Sequence, residues 1–268
     1  MANKPLGIVV LGAAGRMGKT ICNLASAEPG FELAGAVDRS DALAGLESLD
    51  VPVSHKLEAI LNGRRDVVAI DFTSPQATLE NLAAATEYDC PVVIGTTGFS
   101  EAQKRELEQY AEKIPCLWSA NMSIGVNVLM RLLPGLASAL GPAYDIEMSE
   151  IHHRHKKDAP SGTALMLGEA LAKSRGWDLA ETRISCRDGL IGARPEKQIG
   201  IQAIRGGDVV GIHTVYFLGP GETIELRHQA ESRENFGQGA LRAAKWLSGQ
   251  KPGRLYSMQD VIADALSG

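Results

Sequence analysis

The sequence predicts an α/β chain: a doubly wound parallel sheet at the N-terminus, followed by an α+β domain with a mixed sheet. Three observations carry this. Residues 6–118 alternate short apolar runs with helix-like segments, the rhythm of parallel strands joined by helical crossovers. A glycine-rich turn, Gly12-Ala-Ala-Gly15-Arg-Met-Gly18, follows the first apolar run directly. Beyond residue 180 apparent strands succeed one another through Gly-Asp and Gly-Pro-Gly turns, which calls for mixed or antiparallel pairing.

Leu6-Gly-Ile-Val-Val-Leu11 is the β-branched run of a strand buried on both faces, and a helix is expected over Lys19–Ala27. Glycines at 12, 15 and 18 let the backbone turn tightly and approach a pyrophosphate, which would rest on the amides that open the helix. Such a turn is weak evidence alone. The next strand, Phe31–Val37, strengthens it by ending at Asp38, about 20 residues past the last glycine, where this fold places a ribose-binding carboxylate. Asp38 as a plain turn cap is the blander alternative. Arg39 could pair a ribose phosphate, so the pair leaves NADH and NADPH both open.

Strands are expected at Asp66–Asp71, Cys90–Ile94 and Pro115–Trp118, with helices over Gln76–Tyr88 and Ser100–Lys113. Ligands of such sheets sit at the carboxyl ends of strands. The loops Phe72-Thr-Ser-Pro75 and Gly95-Thr96-Thr97-Gly98 should therefore border the cofactor, although ordinary turn chemistry would also explain the threonines, and Ser119-Ala120-Asn121-Met122 reads as the loop after the next strand. These features define a Rossmann-type domain over 1–122, completed by C-terminal helices within 238–268. The intervening residues 123–237 read as a substrate-binding domain facing it across a cleft. Its expected elements are a helix over Ile124–Leu140 interrupted near Pro134, a strand over Tyr144–Ile151, and a helix from Ser161 or Gly162 to about Arg175. Strands follow at Arg183–Arg187, Ile199–Ala203, Val209–Leu218 and Glu222–Ala230, then helices at Leu241–Leu247 and Met258–Leu266.

A formal charge of −5 over 268 residues, with no long basic run, argues against nucleic acid as a partner. No apolar run approaches the ~20 residues that span a bilayer, and the first strand is too short and glycine-rich for a secretion signal. Cys22, Cys90, Cys116 and Cys186 are scattered without a Cys-x-x-Cys pair, which suits a reducing cytoplasm.

The densest chemistry lies in Glu150-Ile-His-His-Arg-His-Lys-Lys-Asp-Ala-Pro-Ser-Gly-Thr-Ala-Leu165. Three imidazoles in four positions exceed what packing requires. A metal site is disfavoured, because Arg154, Lys156 and Lys157 would repel a dication. Anion capture with proton transfer fits better. Lys156 offers a compact cation, Gly162 and Thr163 open a helix where carboxylates are favoured, and a histidine can deliver a proton at neutral pH. With a reduced nicotinamide, this describes hydride transfer to an unsaturated carboxylated small molecule. Alternation along a strand puts His152 and His153 on opposite faces, and spacing alone does not choose between them.

Gly12-Ala-Ala-Gly-Arg-Met-Gly18, Gly95-Thr-Thr-Gly-Phe99, Ala120-Asn-Met-Ser-Ile-Gly-Val-Asn127, the His-His-Arg-His-Lys block and Arg205-Gly-Gly-Asp-Val-Val-Gly-Ile-His213 together resemble the 4-hydroxy-tetrahydrodipicolinate (dihydrodipicolinate) reductase family of lysine and diaminopimelate biosynthesis. The resemblance implies NADH- or NADPH-dependent reduction of a cyclic dicarboxylate to tetrahydrodipicolinate. It implies His152 as acid/base and Lys156 as proton donor, with His153, Gly162 and Thr163 holding substrate carboxylates. It assigns cofactor contacts to Gly12, Ala13, Ala14, Gly15, Arg16, Met17, Asp38, Arg39, Gly95, Thr96, Thr97, Ser119, Ala120, Asn121 and Met122. It also implies a homotetramer assembled through the second domain's sheet. Lys157 departs from the apolar residue often found there in the family, although Lys156 keeps the motif spacing. A semialdehyde or sugar dehydrogenase would share the nucleotide half and is the competing class.

Overall fold

The computed structural model describes residues 4–267, which fall into two compact units: 4–124 with 233–267, and Gly125–Ser232. The chain opens with β1 (Leu6–Leu11), α1 (Arg16–Ala27), β2 (Phe31–Val37), β3 (Val53–Ser54), α2 (Leu57–Leu61) and β4 (Val67–Asp71). It continues through α3 (Pro75–Glu87), β5 (Val92–Ile94), α4 (Glu101–Ala111) and β6 (Cys116–Trp118). Helix α1 starts at Arg16, before the expected Lys19, because the turn closes within three residues: the Gly15 amide donates to the Gly12 carbonyl at 3.0 Å.

The second unit holds α5 (Ile124–Leu140), β7 (Asp145–His152), α6 (Gly162–Ser174), α7 (Leu179–Thr182), β8 (Arg183–Ile184), β9 (Ile199–Arg205), β10 (Gly211–Gly219) and β11 (Glu222–Ala230). Helix α5 runs through Pro134 without the expected interruption. Leu129, Leu133 and Ala137 are buried along one of its faces, and that packing outweighs the single backbone bond the proline cannot donate. The strand expected over Arg183–Arg187 is only two residues long, since Arg187 instead turns its guanidinium onto Glu147. The chain then returns to the first unit as α8 (Glu234–Leu247), β12 (Leu255–Tyr256) and α9 (Met258–Ser267). Helix α8 begins at Glu234, seven positions before the Leu241 start expected from the sequence (241 − 234 = 7), because Gly237 and Gly239 seat its first turns on Leu24 and Met122.

The first unit's sheet has the order β12-β6-β5-β4-β1-β2-β3 and is parallel throughout. Side-chain alternation splits β1 between two cores. Ile8 and Val10 pack with α1 and α8 through Ile21, Leu241 and Leu247, while Val9 and Leu11 pack with Leu57, Leu82 and Leu107 of α2, α3 and α4. The second sheet has the order β11-β10-β7-β9-β8 and is mixed: β7 runs parallel to β9 and antiparallel to β10. Along β7, Ile146 and Met148 sit in a core with Leu133 of α5 and Leu167 of α6. The same buried face continues to Glu150 and His152 at the strand's end.

Candidate active site

In the first unit the glycine turn is held by close packing. Gly12 has φ +80°, a conformation that disfavours any side chain, and its amide and that of Ala13 donate to the Val37 carbonyl. A Cβ at Gly18 would press into the Gly12 carbonyl and lie 2.6 Å from the Ala13 Cα, so the helix can seat on the turn only without one. The first turn of α1 carries neither a side-chain cap nor an acid. Its orphan amides and dipole therefore offer an anion site.

Asp38, just past β2, accepts the Ala14 amide on Oδ2 and the Arg39 amide on Oδ1, each at 2.8 Å. These groups line a cavity of about 660 Å³ whose rim includes Gly12, Ala14, Gly15, Asp38, Arg39 and Asn81. A second cavity of about 240 Å³ is lined by Met17, Gly95, Ser119, Ala120, Asn121 and Met122, and both cavities share Phe72. The tip of the Phe72 ring lies against Gly95, where any side chain would collide with it. The shape and donor set fit a dinucleotide.

Not every expected contact faces these cavities. Ala13 is a core residue, and the Thr96 hydroxyl is buried against Asp71, at 3.0 Å, instead of lining either cavity. Asp71, at the end of β4, also accepts from Thr73, Thr78 and Asn81. Burial raises its carboxyl above the usual range, although these bonds oppose the shift. The knot ties together the two loops that the sequence placed at the cofactor. Thr97 is exposed, and the Arg39 guanidinium meets Asp41 at 3.3 Å.

In the second unit, β7 ends at His152, which lies on its buried face, and His153 follows the strand, half-buried. The Nδ1 of His152 lies 2.5 Å from Glu150 Oε2, and the residue is 8% exposed. Glu150 is fully buried, and Arg205 of β9 clasps it with two bonds at 2.8 and 2.7 Å. Ser161 caps α6: its hydroxyl accepts from Ala164, its amide donates to Glu150, and the hydroxyl meets His213 Nε2 of β10 at 2.9 Å. The His152 and His213 rings sit edge to face, with centroids 5.2 Å apart.

Burial draws the His152 imidazole below its ordinary value, with Glu150 opposing. Burial likewise holds His213 at about 4. Glu150 pays for its own burial through Arg205 and His152, which together bring its carboxyl below the usual range. Lys156 pairs with Asp158 at 2.9 Å on the same loop. A Cβ at Gly162 would meet open space, and the first turn of α6 contains no acid, so a carboxylate can reach its amides. His155 and Lys157 are exposed.

Sequence reading gave no role to Glu150, Arg205 or His213. Alternation did place Glu150 on the His152 face. No sequence signal, however, could show that register sets Arg205 opposite His152 and His213 opposite Glu150.

A dinucleotide-binding unit and, in the same chain, an imidazole–lysine loop at a helix N-terminus define a nicotinamide-dependent oxidoreductase. Residues 6–122 match the family model for the N-terminus of dihydrodipicolinate reductase, and 125–262 match the one for its C-terminus. The chain belongs to the dihydrodipicolinate reductase family. It is 59% identical over 255 residues to a 4-hydroxy-tetrahydrodipicolinate reductase of Desulfovibrio desulfuricans, covering 95% of this chain and 98% of that one. It is 53% identical over 257 residues to one of Oleidesulfovibrio alaskensis, covering 96% and 99%. Among solved structures, the dipicolinate-bound dihydrodipicolinate reductase of Paenisporosarcina sp. TG-14 is similar at TM-score 0.79 and 26% identity, covering 96% of this chain and 99% of that one. A probable dehydrogenase from Thermotoga maritima, at TM-score 0.59 and 14% identity over 97% and 94% of the two chains, shares the fold alone.

Proposed function

We infer that the chain reduces 4-hydroxy-tetrahydrodipicolinate to tetrahydrodipicolinate with NADH or NADPH, a step of lysine and diaminopimelate biosynthesis. The observation that carries this reading is His152, anchored through Nδ1 beside the N-terminus of α6 and followed on the same loop by Lys156. Bound NAD(P)H supplies the hydride. Everything else falls to this chain's residues. The Gly12–Met17 turn takes the pyrophosphate, Asp38 and Arg39 the ribose end, and Gly95–Thr97 with Ser119–Met122 the remainder of the cofactor. His153, Gly162 and Thr163 take the substrate carboxylates. Water leaves the hydroxylated ring, a hydride adds to carbon, Lys156 gives the balancing proton, and His152 acts as acid/base.

The assignment gives residues 1–122 with 238–268 to the cofactor, and 123–237 to substrate and oligomerisation. It extends to a cytoplasmic homotetramer, supported by Ile204 and Leu218, apolar side chains left exposed on the five-stranded sheet.

Purified protein given substrate should consume NADH or NADPH absorbance, and no consumption with either cofactor would overturn the reading. In the same assay His152→Gln should lower kcat by about 10²–10⁴-fold, the usual range for general acid catalysis, with NADH affinity unchanged. Wild-type turnover in that variant would remove His152 from the mechanism.

A further inference from the structure

We propose that Glu150 is a positioning residue that fixes His152 as its Nδ1–H tautomer and leaves Nε2 as the reacting nitrogen. The proposal rests on the reductase reading above and deepens it. Glu150 is fully buried on β7, where a carboxylate is costly unless every acceptor site is used. Here four donors meet its two oxygens. Oε1 accepts Arg205 Nη2 and the Ser161 amide, and Oε2 accepts Arg205 Nη1 and His152 Nδ1. A purely structural carboxylate needs donors of any kind, and Arg205 with the Ser161 amide already supplies three of the four. This one also grips an imidazole two residues along its own strand, at 2.5 Å.

An ionised carboxylate only accepts, so Nδ1 must carry the hydrogen. Nε2 is then a lone pair in the neutral ring and a donor in the charged one, as an acid/base requires. The neighbouring strand leaves room for that nitrogen: the nearest atom a side chain at Gly211 would meet is His152 Nε2, at 3.0 Å.

The surroundings do not compete for Nδ1. The Ser161 hydroxyl already accepts from Ala164, so its hydrogen is free for His213 Nε2. His213 therefore binds the helix cap and meets His152 only through its ring edge. The charged and titratable groups facing His152 are Glu150 on its own strand, Arg205 from β9, His213 from β10 and Lys156 from the loop; α6 contributes the Ser161 cap. In this arrangement Arg205 tempers the negative charge that the imidazole feels.

Nitrogen-15 NMR of the full-length wild type should show His152 with a protonated Nδ1 and an unprotonated Nε2 above its pKa. The opposite tautomer overturns the proposal, with or without any variant. Glu150→Gln keeps the shape but loses the charge and one acceptor. It should mix the tautomers, lower kcat by about 10²-fold with the KM for NADH unchanged, and move the imidazole limb of the kcat profile to lower pH. Because that variant strands the Arg205 cation, Glu150→Gln with Arg205→Met removes both charges and should restore folding without restoring kcat. Glu150→Asp, which keeps the charge, should recover part of the lost kcat. Wild-type kcat and unchanged His152 signals in either Gln variant would refute the role. If the wild type itself consumes no NAD(P)H with substrate, the reductase reading falls, while the tautomer measurement on the unliganded protein still decides this proposal.

Discussion

At the scale of single residues, burial sets the chemistry of the imidazoles. His213 is 4% exposed and titrates at about 4, so it is neutral in the folded protein at any physiological pH. Once unfolded, the same ring takes up a proton near 6.5. The unfolded chain therefore binds more protons in this window, and stability is present above about 6.5 and is lost as pH falls toward 4. From pH 7 to pH 5 the loss from this residue alone is about 2 kcal/mol. His213→Asn keeps a polar partner for Ser161 but cannot titrate. Urea midpoints of the variant should fall less than those of the wild type over this interval, and parallel falls would mean His213 does not drive the acid sensitivity. The sequence disclosed the side chains proposed to react better than those that support them. His152, Lys156 and the helix opening at Gly162 lie within eleven consecutive positions (152 to 162), so their shared chemistry was legible. Glu150, Arg205 and His213 meet across β9, β7 and β10, and strand register is a tertiary outcome that no local pattern encodes.

At the scale of elements, the strand–turn–helix that opens the chain depends on one missing methyl group. A Cβ at Gly18 would strike the Gly12 carbonyl and the Ala13 Cα, both backbone atoms that cannot swing aside. Gly18→Ala must lift α1 off the turn, at the roughly 1–3 kcal/mol typical of overpacking. It would also move the amides proposed to hold the pyrophosphate. Titration of the protein's intrinsic fluorescence should show NADH binding weakened by about 10-fold or more, alongside a lowered melting temperature. Unchanged NADH affinity would place the pyrophosphate elsewhere. Elements with a long apolar period, such as β1, α3 and β11, were legible within a residue or two. The two-residue strands β3 and β12 and the short helices α2 and α7 were not, since they are too brief to establish any period. Pro134 misled for a different reason: a proline's local cost is fixed, but the burial that offsets it is visible only once α5 is packed.

At the scale of the whole molecule, the return of the chain to its first unit makes a strong claim about folding. Helix α8 places Ala240, Leu241, Ala243, Ala244 and Leu247 in one core with Ile8, Val10 and Ile70 of the sheet. Burying a leucine contributes roughly 1.5–3 kcal/mol, and entire domains are stable by only about 5–15 kcal/mol. A fragment of residues 1–124 would leave that face of the sheet in water and lose β12 from its edge. It should show no cooperative thermal transition and no NADH binding, despite containing every cofactor contact assigned here. The remedy is short. Asn235 Nδ2 reaches Ser123 Oγ at 3.4 Å, so the two ends of the first unit lie side by side. Joining 1–124 to 233–268 through a few Gly/Ser residues should therefore restore both the cooperative transition and NADH binding. Cooperative melting and NADH binding by 1–124 alone would show that the returning helices decorate the nucleotide fold without completing it.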